Sequence, residues 1–314
     1  YRSIAFVNAN KYLDAIWASR NSQSSLKKVI EINPNNFDAY LGLGLFNFAL
    51  GQVPSAFKWA LSLIGFSGDK ETGIEYLSIA ASKGKYAKVE ASFYLAQIYS
   101  DFYEEYEKTE KLLKPLLDKY SENILFQYSN AVLQIKKRKL DVAEKSLLKI
   151  IKNEDARLQQ ILAFSHFLLG DVNYRKNNFE SAIEYYNRFF QLTNEIDYIG
   201  IANYRIAVSY EISGDRLTSS KYFLLAQNGN LDLADDAYAK RRGEIFVKRP
   251  LTSFEIDLIK ASNFNEAGNY KNALEGLQYI ISLCNDEEIL AEAYYFLSDL
   301  SFYTGKYVDA VAFA

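Results

Sequence analysis

Small residues recur in pairs twelve positions apart through most of this 314-residue chain, and that spacing constrains the fold more than any other feature. The pairs are Gly44 with Ala56, Ala131 with Ala143, Gly170 with Ala182, Ala207 with Ser219, Ala261 with Ala273 and Ser298 with Ala310. Between the members lies a Gly or polar turn, usually followed by an aromatic or aliphatic residue, as in Asn178-Phe179, Gly268-Asn269-Tyr270 and Gly305-Lys306-Tyr307. Two small residues so placed let antiparallel helices approach closely across a short turn, while Leu43, Leu169, Ile206 and Leu297 fill the seam. From Ala143 onward the second small residues follow at 39, 37, 54 and 37 residues, and three of these gaps match one helix pair. A stack of such pairs grows unit by unit without a single central core, so length does not set the domain count.

Composition excludes several alternatives. With 49% apolar and 24% charged residues the chain is neither disordered nor membrane-spanning, and no uninterrupted apolar run reaches the roughly 18 to 20 residues a spanning helix needs. Only 4 Pro occur, which favours long helices. One Cys excludes a disulfide scaffold or zinc ribbon. The single His, His166, has no second His or Cys at ligand spacing and reads as a packed side chain; Cys284 reads as an inert thiol. The acidic pairs Glu104-Glu105, Asp235-Asp236 and Glu287-Glu288 diverge on a helix and do not make a paired-carboxylate site. Two basic clusters, Lys136 to Lys139 and Lys240 to Arg242, sit in a chain of net charge −3 without a continuing basic surface, so nucleic acid is not an expected partner. No cofactor, metal site or enzymatic activity is expected.

The segment LLGDVNYRKNNFESAIEYYNRFFQL, from Leu168 to Leu192, resembles the tetratricopeptide (TPR) consensus: Leu-Gly, an aromatic, a turn, Ala, then aromatics in a second helix. EINPNNFDAYLGLGLF fits as well, with Pro34 ending one unit and Leu43-Gly44 within the next. Most units lack the terminal Pro, Ser219 replaces the second-helix Ala, and the first-helix aromatic shifts to Tyr174 in the clearest copy. The resemblance implies an all-α fold, an α-α superhelix built as a TPR-like solenoid of antiparallel helix pairs. Residues 41–103 carry a more specific block, with Gly-Leu-Phe-Asn, a Pro, the run Gly65-Phe66-Ser67-Gly68-Asp69-Lys70 and then Gly-Ile. It resembles a block of the eukaryotic inclusion-body clearance and TPR-39 family, and equally one in uncharacterised bacterial TPR proteins. That likeness implies scaffolding rather than chemistry.

Two segments interrupt the array. The stretch from Leu112 to Tyr120 is read as a lengthened first helix or turn, and residues 228–250 as an additional helix that Pro250 stops, after which Thr252 with Glu255 makes a capping box. One solenoid over residues 1–314 is expected, divisible into sub-arrays 1–227 and 251–314. The chain stops four residues after Ala310 and begins without Met, from which a fragment or a processed chain is expected, exported or, alternatively, cytoplasmic.

In a TPR superhelix the first helices line the concave face. That register selects Tyr128, Phe167, Asp171, Tyr174, Arg175, Tyr204 and Glu211 as a groove for an extended peptide or a helix of a protein partner, because rigid rings bury area at little entropic cost. The chaperone-tail mode is not expected, since it needs Lys, Asn and Arg where these faces carry Tyr, Phe, Val and Glu. In the Gly65 to Lys70 run, the glycines permit positive dihedrals around an aromatic plug and Asp69 caps a helix; Phe66, Gly68 and Asp69 are the alternative loop site. A carrier or sensor of a lipid or other apolar molecule is the competing function, motivated by 25 Tyr, 21 Phe and 2 Trp.

Overall fold

A computed structural model describes residues 11–54, 62, 65, 66, 68–152 and 158–314. Among them are sixteen α-helices and no strand. The helices form two compact units, residues 1–126 and 127–314. Ala56 lies outside the described residues.

The first unit contains α1 (Tyr12–Ile32), α2 (Ala39–Gly51), α3 (Lys70–Lys83), α4 (Lys88–Asp101) and α5 (Tyr106–Lys119). Helices α2 and α3 run antiparallel at backbone contact. A Cβ on Gly44 would lie 2.8 Å from Leu77 N, and one on Gly73 would lie 2.8 Å from Phe48 Cα. Gly44 therefore meets α3 at Gly73, the glycine of the Gly-Ile element. Phe48, Leu77, Leu95 and Ile98 form the core beneath this crossing. Asp38 reaches across to α4, accepting from Tyr86 N and Ala87 N at 2.9 and 2.8 Å, and the bond from Ala87 N holds its carboxyl below the ordinary range. The stretch expected to be a lengthened first helix or turn belongs to α5, an ordinary second helix packed on α4. Its small-residue mark was hidden because buried Thr109 occupies the place of Ala and meets Ala96 O at 3.4 Å.

The second unit contains α6 (Ile124–Lys136, from its fourth residue), α7 (Leu140–Ile150), α8 (Gln159–Arg175), α9 (Phe179–Leu192), α10 (Ile199–Ile212) and α11 (Arg216–Leu225). It continues with α12 (Ala234–Phe246), α13 (Ser253–Glu266), α14 (Tyr270–Leu283), α15 (Glu287–Tyr303) and α16 (Tyr307–Phe313). One turn geometry recurs five times. Arg138, Asn177, Gly214, Gly268 and Gly305 all take positive φ. The next residue in each case donates back five positions, as Lys139 N does to Gln134 O at 2.8 Å and Asn269 N to Phe264 O at 2.8 Å. This is the helix-ending arrangement in which a left-handed residue satisfies orphan carbonyls, here used to start the second helix at once. The small pairs meet as their spacing predicts at the last unit, where Ser298 Oγ donates to Ala310 O at 2.7 Å. The additional helix is α12, and the Thr252–Glu255 capping box is present.

Candidate partner-binding surfaces

The inner face of the second unit is built by first helices packing on one another. Helix α8 touches both α10 and α13, and α13 touches α15. Aromatic side chains that a more open superhelix would display are consequently drawn inside. Phe167 is 7% exposed and packs against Tyr198, Phe189 and Tyr186 with ring centroids 5.0, 5.4 and 5.9 Å away. Tyr174 is buried edge-on against Phe179, with Arg205 over its ring at 5.5 Å. Tyr204 is 4% exposed, between Phe223 and Tyr238. Burial raises the hydroxyl pKa of both Tyr174 and Tyr204, and pushes that of half-buried Tyr128 up to about 12.

The charged candidates are partnered from within. Asp171, itself buried, pairs with Arg205 and with Arg175 Nε at 2.9 Å, and Arg175 also reaches Glu266 at 3.3 Å. Burial pulls the Arg205 guanidinium down, but Asp171 together with Tyr186, Tyr174 and Glu266 outweighs it and holds the group well above its ordinary value. Glu211 accepts from Leu251 N at 3.2 Å and Arg216 at 3.1 Å, tying the end of α10 to the start of α13. Five of the seven candidates, Phe167, Asp171, Tyr174, Arg175 and Tyr204, thus share one interior. Sequence reasoning missed Arg205 and Asn263, which close it, and Arg138, which binds Asn265 and Asp299 elsewhere in the unit. Asn263 Nδ2 donates to Tyr174 O at 2.9 Å and Asn177 Oδ1 at 2.8 Å, contacts across long sequence separations that no local motif announces.

An opening lies beside Tyr204. Tyr204, Tyr238, Arg242, Leu258, Ser262 and Phe296 border a cavity of about 70 Å³ between α10, α12, α13 and α15. Arg242 Nε is buried beside it with no hydrogen-bond partner among the described residues, and the guanidinium stands 3.7 Å from Glu292. The loop candidates serve the fold. Phe66 is buried against Phe46, and Asp69 caps α3 by accepting from Glu71 N and Thr72 N at 2.9 and 3.2 Å. Gly65 has the expected positive φ, whereas Gly68 is required for close approach, since a Cβ there would lie 2.8 Å from Leu50 Cβ. The His166 ring lies tilted beside Tyr185 at 6.1 Å between centroids, and Cys284 is buried.

A family model described as Iml2/Tetratricopeptide repeat protein 39 matches residues 17–196, more than half of the chain. The chain belongs to this family. The match includes α2 to α9 and so covers helices of both units, including the block around Gly65. Among solved structures the chain is similar to the crystal structure of the yeast Tom70, at 16% identity and a TM-score of 0.43, with 96% of this chain and 55% of that chain covered. This chain therefore spans about half the length of that protein. Within the Iml2/TPR-39 chain described here, no helix among the described residues is long and apolar enough to cross a membrane.

Proposed function

We propose that this chain is a non-catalytic scaffold that holds a peptide or helix of a protein partner on the inner face of its second unit. The observation that carries the reading is the cavity beside Tyr204, whose aromatic rim and unpaired Arg242 Nε suit one anchoring side chain with a polar neighbour. In this reading Tyr204 forms its wall, Arg175, Glu211 and Tyr128 border the face, and Phe167, Asp171 and Tyr174 keep it rigid. Family membership and stacked helix pairs support an interaction scaffold over an enzyme. A photo-crosslinking residue at position 238 in the source cells, followed by mass spectrometry, tests the proposal. A protein segment captured by the intact chain and lost when Ser262→Trp fills the cavity supports it. Capture that ignores Ser262→Trp, or no captured protein, overturns it.

The reading as a carrier of an apolar molecule has one observation in its favour, an open groove of about 360 Å³ in the first unit floored by Leu95, Tyr99 and Leu112. Solvent extraction of purified protein and mass spectrometry test it, and the absence of co-purifying lipid ends it.

A further inference from the structure

The groove in the first unit lies between second helices α3 and α5 and is floored by first helix α4, on surfaces that the inner-face proposal does not use. Its floor is Leu95 and Tyr99 of α4 with Leu112 at the inner edge of α5; Leu95 is buried, and none of the three is charged. Its α3 and α4 walls carry Ser78, Ser82 and Ser92, and each hydroxyl is turned into its own helix, donating to Ile74 O, Ser78 O and Lys88 O at 2.7, 2.7 and 2.8 Å. Among the described residues no carboxylate lines the groove, whereas Lys108 and Lys111 stand on the α5 side. Lys108 is held 5.0 Å from the Tyr99 ring centroid and is paired to Glu105. Lys111 has no ion-pair partner among the described residues.

We infer that this groove docks an amphipathic α-helix of a protein partner, with its apolar face on Leu95, Tyr99 and Leu112 and a carboxylate on the edge facing Lys111. An extended peptide would bring unpaired backbone N–H and C=O groups over a floor with nothing to satisfy them, at the cost of a buried unpaired polar group each. A helix satisfies its own backbone and lays only side chains into the groove. The low serine wall admits close approach on one side, while the cations lie only on the other, so the charges select one orientation of the incoming helix. Helices α3 and α5 have 14 residues each, a wall of about 21 Å, which a partner helix of about 14 residues spans.

The test uses a displayed library of helical peptides, randomised on every face and selected against the full chain. Enriched sequences are expected to carry apolar residues at i, i+3 or i+4, and i+7, with Asp or Glu on one flank. Their affinity falls at least tenfold with Lys111→Glu and with Ser82→Trp, both at surface positions where circular dichroism checks folding, and stays unchanged with Ser262→Trp in the second unit. Replacing the acidic flank with Lys restores binding to Lys111→Glu. Enrichment without an acidic flank, or binding indifferent to both groove variants, overturns the proposal. So does an outcome in which phosphatidylcholine vesicles, or a second copy of the chain in sedimentation, occupy the groove in place of any peptide.

Discussion

The Arg138 guanidinium lies 3.4 Å from the centroid of the Tyr303 ring, joining the turn before α7 to the end of α15. The same group donates to Asn265 Oδ1 at 2.9 Å and to Asp299 Oδ2 at 2.7 Å, and the Arg138 backbone sits in the left-handed region to present it. Gly268 allows the approach, since a Cβ there would stand 2.8 Å from Arg138 O. Arg138 thus ties the α6–α7 turn to α13 and α15. Arg138→Met should destabilise that unit by about 2 kcal/mol, below the full cost of breaking a buried pair because Asp299 keeps some solvent. Arg138→Lys, lacking the planar fork, should recover less than half. Chemical denaturation gives the energies, and hydrogen exchange should show lost protection at the ends of α13 and α15.

Gly44→Ala should cost the first unit about 2 kcal/mol, although alanine favours helix by about 1 kcal/mol, because its Cβ would press on the Leu77 backbone. Gly42→Ala serves as the control. There the nearest atom is the tip of the Leu26 side chain, which can rotate away. A thermal melt in which both variants behave alike would remove the backbone-contact account of the α2–α3 crossing.

Asp236 is buried and accepts from Ile201 N and Asn230 N at 2.8 Å each, clamping α10 and the loop before α12. Asp236→Ala strands both donors and should cost about 3 kcal/mol. Asp236→Asn keeps one acceptor and should cost less. Burial raises the Asp236 pKa despite these bonds, so its ionisation opposes folding as pH rises through that value. The Asn variant should flatten that part of the stability profile in equilibrium unfolding across pH.

His166 has its pKa lowered by burial and by the Arg188 charge. The unfolded chain therefore binds the proton more readily, and stability is full above the ordinary His value of about 6.5 and falls as pH drops through it toward the folded value. Urea midpoints measured from pH 7.5 to 5 should decline, and His166→Gln should remove part of that slope. A parallel decline in the variant would assign it to other groups.

Local features were legible in the chain because their causes are local. Asp69 caps α3 because a short carboxylate two residues before an N–H meets it without help from elsewhere, and Thr252 with Glu255 closes its box for the same reason. Thr109 hid α5 because a hydroxyl residue stood where the repeat uses Ala, and Glu104 took the left-handed turn position that elsewhere falls mostly to Gly. The first-helix register put Phe167, Asp171, Tyr174, Arg175 and Tyr204 among the groove candidates, and the structure packs these five in the interior of the second unit. Whether such residues face solvent or each other depends on how tightly the pairs curl, which is a sum of small rotations along the array.

The sequence alone therefore determined most of the helix pairs, several of their turns and caps, and the all-α superhelix, since periodicity and capping act within a dozen residues. Only the tertiary structure decided that Arg138 meets Tyr303, that Asp171 is neutralised by Arg175 and Arg205, and that an apolar groove with lysines on one side lies between α3 and α5. Those relationships join residues that the chain keeps far apart or on separate helices, and they exist only once packing has set the distances between them.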